Sequence, residues 1–323
     1  MRLPRSSAAT RARVRLVGVA LACVALACVA LACVAPAASA TSLGAAARVV
    51  HNDESLAADR PEAWAMTWVT ASTFFTAFGA TPALARGRWI AAAELGAVPR
   101  LSAEDQRVGF DGVKEEDLNR SPVFGRLRAM VGLGDGWVAE VAWTPPLEID
   151  RAKPRDLFAA AIARRVLEHR GITLSLRAFG QHGEAEGDIT CPARLAGITD
   201  VARNPYGCRA ASDDRIALDY YGIDAIAGGS AGGWNWHVDI AAVRTELAVQ
   251  VDALTFGVRD RSRLTSRMVV PWIAVGADHV LDSHWSAGIE GLYVPLDVKR
   301  GVSAARSYDP FATVRVELRY RFD

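Results

Sequence analysis

Over most of the chain apolar and polar residues alternate one for one, and the pattern is clearest at the end. Ala312, Val314, Val316, Leu318, Tyr320 and Phe322 form one set, and Thr313, Arg315, Glu317, Arg319 and Arg321 lie between them. Successive side chains of a strand point to opposite faces, so this stretch predicts a strand with one greasy side and one ionic side. The same period recurs upstream. Trp89, Ala91, Ala93, Leu95 and Ala97 oppose Arg88 and Glu94; Leu127, Ala129, Val131 and Leu133 oppose Arg126 and Arg128. Gly134-Asp135-Gly136 predicts a tight turn into Trp137, Ala139, Val141 and Trp143, which oppose Glu140. Ile172, Leu174, Leu176 and Ala178 face away from Thr173, Ser175 and Arg177. Ile216, Leu218 and Tyr220 open another run, with turn signals at Gly228-Gly229 and Gly232-Gly233. Trp234, Trp236, Val238 and Ile240 answer it, with His237 and Asp239 on the other face. Arg155–Glu168 suits a helix by composition, and only its place between hairpins makes it a strand.

Such a sheet is either a soluble sandwich, with its greasy face in a core, or a membrane barrel, with that face toward lipid. A secretory leader, the repetition of the pattern and the aromatic ending favour the barrel. The ending resembles the C-terminal signal of Gram-negative outer-membrane β-barrel proteins, with Phe322 in the terminal aromatic position behind Tyr320, Leu318 and Val316. That resemblance implies an all-β, antiparallel transmembrane barrel in a bacterial outer membrane. Its partners would be outer-membrane lipids and lipopolysaccharide, and the barrel-assembly machinery would read the last strand.

About ten strands are predicted, and twelve if Trp64–Phe78 supplies a hairpin. Short turns near Gly134, Gly171, Gly229 and Ser283 alternate with long connections at 99–121, 145–154, 182–213, 253–266 and 299–310. Periplasmic turns and extracellular loops alternate in this way, which would put both termini in the periplasm. In one place the phase slips, because Leu247, Val249 and Val251 are odd-numbered. Either a bulge near Arg244 or emergence beyond the bilayer accounts for it. The 267–281 run is apolar on both faces, which leaves its orientation open.

The leader divides the chain. Arg2, Arg5, Arg11, Arg13 and Arg15 precede the apolar stretch Leu16–Ala35, and Ala38-Ser39-Ala40 is a small-x-small cleavage site, so residues 1–40 read as a signal peptide. An uncleaved anchor helix is the rival, and Leu-Ala-Cys at Cys23, Cys28 and Cys33 hints at lipoprotein processing. Residues 41–86 are predicted as a periplasmic segment. Within it Trp64, Trp68, Ala71, Phe75 and Phe78 fall at helical spacing, as for a short amphipathic helix or a segment entering the barrel mouth. Residues 87–323 form the barrel. Without the leader's five arginines the 37 basic residues become 32, against 36 acidic ones, which argues against a nucleic-acid partner. Cys191 and Cys208 remain, and a lone nearby pair in an exported chain predicts a disulfide.

The inward set carries the candidate chemistry. Arg88, Glu94, Arg126, Arg128, Glu140, Arg177, His237, Asp239, Glu290, Arg315, Glu317, Arg319 and Arg321 are predicted to line the lumen. Ten strands leave little bore, so these charges either pair as an ionic core or line a narrow, selective path. Transport of small solutes through such a path is the first functional expectation. A structural or adhesive barrel with loop-mediated binding is the second. A rim hydrolase using His182 with Glu184, Glu186, Asp188, Asp213 or Asp214 is the third, and no catalytic set is assigned. His284-Trp285-Ser286 reads as an interfacial turn, and Asp111, Glu115, Glu116 and Asp117 lack the ligand spacing of a calcium loop. No cofactor or metal is expected, since no nucleotide-binding glycine motif follows a strand.

Overall fold

The computed structural model of the protein describes residues 47–301 and 303–322. The leader, the rival anchor helix and the Leu-Ala-Cys repeats lie outside the described residues. Ten antiparallel strands make a closed wall: β1 (Trp89–Ala97), β2 (Val123–Gly134), β3 (Trp137–Trp143), β4 (Lys153–His169), β5 (Ile172–Gly187), β6 (Asp214–Ala231), β7 (Trp234–Gln250), β8 (Arg263–Val280), β9 (Trp285–Val294) and β10 (Phe311–Arg321). Each pairs with the next in sequence, and β10 returns to β1 from Arg315↔Gly96 to Arg321↔Ile90. The ambiguous stretch after Arg155 is a strand, kept in the wall by pairing on both sides despite its alanines.

The outer surface of the wall is the predicted greasy side. Val141, Ile162, Leu176, Ile223, Ile240, Ile273, Ile289 and Val314 are exposed on it. Toward the short-turn end it carries Trp89, Trp234, Trp236 and Phe322, and toward the long-loop end Trp143, Phe158, Tyr221 and Tyr293. Aromatic rings at both borders of an apolar belt match the two interfaces of a bilayer. In β8 the open question resolves, with Val269, Ile273 and Val275 outward and Val270 and Trp272 buried inside.

The phase slip is not a bulge. Strand β7 pairs without a break from Trp234 to Gln250 on both edges. What inverts is polarity. Below Ala242 the outward residues are apolar and the inward ones are His237 and Asp239; above it Arg244 and Glu246 point out, while Val243 and Leu247 are buried. Strand β6 does the same, so Ile216, Leu218 and Tyr220 face inward and Tyr221 and Ile223 face outward. Nine residues from Trp234 to Ala242 suffice to cross hydrocarbon. The rest of these long strands stands in water, where the usual inside-apolar rule returns.

That emergent section encloses helix α1 (Pro61–Ala71). Pro61 occupies the first turn, where a missing N–H costs nothing, and Glu62 faces the positive end of the helix dipole. Trp64, Ala65, Met66, Trp68 and Ala71 are all buried, together with Thr67 and Thr70. Both threonine hydroxyls donate to carbonyls one turn back, at 2.8 and 2.7 Å, so burying them leaves no donor unmet. A helix covered nearly all round belongs in a core rather than at an interface. Its partners include Leu56, Leu157, Ile216, Leu218 and Leu247. Trp68 stacks edge-on with Phe311 at 5.4 Å between centroids.

Residues 41–86 are expected as a periplasmic segment; among the described ones, Asp53–Ser55 pairs parallel with the start of β8, and Arg48–Val50 pairs with Val258–Asp260, all at the end of the wall that carries the long connections. From there α1 enters the barrel, residues 72–81 run down the lumen, and residues 82–86 emerge at the short-turn end to reach β1. Helical spacing did continue to Phe78, but the helix stops at Ala71 because arginines of the wall take over its terminal carbonyls.

Candidate functional site

Five arginines grip the descending segment by its backbone. Arg315 Nη2 donates to Ala71 O and Ser72 O at 3.2 Å each, and its Nη1 to Phe74 O at 2.6 Å. Arg126 donates to Thr73 O at 2.9 Å and to Phe74 O at 3.0 Å. Arg128 donates to Thr76 O at 3.0 Å and to Ala77 O at 3.3 Å. Arg177 donates to Phe75 O and Thr76 O, and Arg319 to Phe78 O. The first of these carbonyls end a helix, where the dipole favours cations. The Phe75 ring sits among Arg126, Arg128 and Arg177, with guanidinium carbons 4.9 to 5.2 Å from its centroid.

Carboxylates behind the arginines balance them. Glu94 faces Arg126 and Arg128 at 3.2 Å and Arg315 at 3.4 Å. Arg128 also reaches Glu140 at 2.5 Å and Glu317 at 3.0 Å, while Arg177 bridges Glu140 at 3.3 Å and Asp224 at 2.9 Å. Glu290 accepts from Thr76 Oγ1 at 2.6 Å and lies 2.9 Å from His237 Nε2. Asp239 accepts the Ala77 N–H at 3.2 Å. Glycines give these groups room. A side chain at Gly276 would meet His237 Cε1 at 2.5 Å, and one at Gly228 would meet Ala80 of the segment at 2.7 Å.

Of the residues predicted to line the lumen, Glu94, Arg126, Arg128, Glu140, Arg177, His237, Asp239, Glu290, Arg315 and Glu317 are buried within it, and Arg319 is half-buried. Arg88 and Arg321 are exposed at the short-turn rim, because the wall begins and ends beside them. Asp224 and Asp278 also face in. Asp224 shares the inward parity of Ile216, Leu218 and Tyr220 on β6. The lumen expected as a narrow path is filled by residues 72–78. Below them a cavity of about 430 Å³ opens at the short-turn end, lined by Thr81, Pro82, Asn235, Asp278 and Arg319 among others.

The hydrolase candidates are not brought together. His182 points outward and its carboxylate partner is Asp219, at 2.9 Å. Asp188 is buried and holds Arg120 at 3.0 Å and Arg151 at 2.8 Å. Asp214 accepts the Thr190 N–H at 2.7 Å, the Asp252 N–H at 3.1 Å and the Ser212 hydroxyl at 2.7 Å. The acids of the first long loop each meet a base instead of each other: Asp111 with Arg60, Glu115 with Arg194, Glu116 with Lys114, and Asp117 with Arg120. His284 Nδ1 lies 2.8 Å from Ser283 Oγ and its ring stacks on Tyr320.

At the long-loop end a second cavity, of about 240 Å³, lies between α1, the tops of β6, β7 and β8, and the first long loop. Ala65, Met66 and Val69 of the helix, Ile216, Val249 and Leu264 of the wall, and Val108 and Leu118 of the loop make its apolar sides. Glu54, Glu62, Glu116, Asp260 and Arg60 border it. Burial pushes the Glu116 carboxyl up to about 8, against the pull of the Lys114 ammonium 2.5 Å away. The Cys191–Cys208 disulfide, Cα atoms 5.6 Å apart, ties down the neighbouring loop. That loop leans on Leu254, whose carbonyl accepts the Arg209 N–H at 2.9 Å.

A closed antiparallel wall with a lipid-facing belt, aromatic borders and no unpaired edge is an outer-membrane β-barrel. Its belt is the surface that meets membrane lipid. No family model matches the chain, and no curated protein does. Similar solved structures include the attachment invasion locus protein Ail of Yersinia pestis, at 10% identity and TM-score 0.29, covering 74% of this chain and 100% of that one. The outer membrane protease OmpT of Escherichia coli follows at 11% and 0.28, covering 73% and 94%. An outer membrane channel from Pseudomonas putida F1 stands at 11% and 0.33, covering 75% and 97%. Likenesses this distant carry nothing about function.

Proposed function

We propose that the protein is a self-sealed outer-membrane barrel whose working surface is its long-loop end, where loops and α1 present a binding site. The observation that carries this reading is the capture of the Ala71–Phe78 carbonyls by five wall arginines. A buried guanidinium stripped of such acceptors is costly, so the seal is held from both sides. The aromatic end of β10 supports recognition by the assembly machinery. In planar bilayers the folded protein is expected to stay silent, and the Arg177→Ala/Arg315→Ala double variant to open intermittently. Steady single-channel current through the unaltered protein would sink the sealed reading.

A second reading, a gated path for small solutes, draws on the short-turn cavity, which reaches Arg319 at the foot of the seal. The ionic ring would line the path once residues 72–78 moved aside. On that reading a ligand or voltage step opens the unaltered protein, and Arg128→Ala changes its ion selectivity.

A further inference from the structure

We infer that the cavity at the long-loop end binds a small apolar molecule bearing one ammonium group. The inference rests on the proposal that this end is the working surface, and it adds the class of ligand. Shape and chemistry supply the two halves. The walls are aliphatic on three sides, with Met66 of α1 facing Ile216 and Leu264 of the barrel, and about 240 Å³ suits a compact body of roughly ten to fifteen heavy atoms.

The polar border has a surplus of carboxylates. Its one arginine, Arg60, is already shared by Glu54 at 3.4 Å, Glu62 at 3.1 Å and Asp111 at 3.1 Å. Asp214 spends both oxygens on loop donors. Glu116 is largely withdrawn from solvent beside the apolar sides formed by Val108 and Leu118. One oxygen meets Lys114, and the other lies against Gly109, where a side chain would come within 2.2 Å of it. Lys114 in turn is anchored to Thr190 O at 2.6 Å. An anionic ligand would face Glu54, Glu62, Glu116 and Asp260 with no uncommitted cation among the lining residues. An ammonium would find an acceptor in Glu116 and an apolar bed for its body.

Proton linkage follows from this arrangement. The groups facing Glu116 are Lys114 on its own loop, Glu62 on α1 and Asp214 on β6, and the two acids join burial in favouring its neutral form. An ammonium placed beside it displaces that proton, so affinity rises with pH until the ligand itself deprotonates near the range of an alkyl amine, roughly 10.

The test uses the whole barrel in nanodiscs and three probes with one rigid body: 1-adamantylamine, 1-adamantanol and 1-adamantanecarboxylate. Calorimetric titration at pH 6 and pH 9 is expected to show the amine binding at least about tenfold tighter than the other two at pH 9, and its own affinity falling by between about tenfold and a hundredfold at pH 6. Glu116→Gln should flatten that pH dependence and keep the alcohol's affinity, which also verifies folding. Met66→Trp should abolish all three. Equal binding of the three probes overturns the ammonium assignment and leaves the long-loop reading standing. Absence of binding by any probe also overturns it, and the sealed-barrel proposal is then judged separately by conductance.

Discussion

Arg128 is the residue on which most of the interior converges. It touches Glu94, Glu140 and Glu317 and two carbonyls of the descending segment. Arg128→Met takes one cation from each of three buried carboxylates, which keep only Arg126, Arg177, Arg315 and Arg319, and is expected to cost about 3–5 kcal/mol, read as a lower denaturant midpoint for the barrel. Glu116 supplies a second expectation. Its folded carboxyl titrates near 8, above its unfolded value, so folding favours the protonated form. The stabilisation is complete below the unfolded value and is lost as pH climbs through about 8. Thermal midpoints should therefore fall between pH 5 and pH 9, and Glu116→Gln should remove that part of the fall. Parity along the strands made Glu94, Arg126, Glu140 and Arg315 legible as inward residues. What they hold was not legible, since nothing local tells a guanidinium that the end of a helix from 52 to 244 residues away will lie beside it.

At the scale of the strand, the alternation identified the wall but not the level at which it leaves the membrane. Strands β6 and β7 keep their pairing and exchange the polarity of their faces between Tyr220 and Tyr221 and between Ala242 and Arg244. A reader who assumes one greasy face per strand sees a slip where the solvent changes. Ile240→Arg, inside the belt, is expected to destabilise by about 2–4 kcal/mol, whereas Arg244→Leu, two repeats of the alternation above it, should change stability little. Refolding equilibria of the two variants in lipid vesicles would separate the cases. The helix was half legible. Its tryptophan spacing was real, but burial on every side follows from the loops and strand tops that surround it, and those are far away in sequence.

For the whole molecule, two cores stacked along one axis divide the work: an aliphatic one around α1 in the water-exposed section and an ionic one within the membrane. The disulfide belongs to the upper section alone. Closing a loop of 17 residues contributes about 3 kcal/mol on the chain-entropy picture, so reduction is expected to expose residues 188–213 to protease while the wall persists. Full loss of the barrel on reduction would contradict that division. The route of residues 72–86 also dictates a construction sequence. A cylinder cannot be zipped shut first and strung afterwards when its interior strand is gripped at every step by the staves. Registration of β10 against β1 must therefore come after the leading peptide has been laid between the opposite walls, which makes that seam the last joint of the vessel to set.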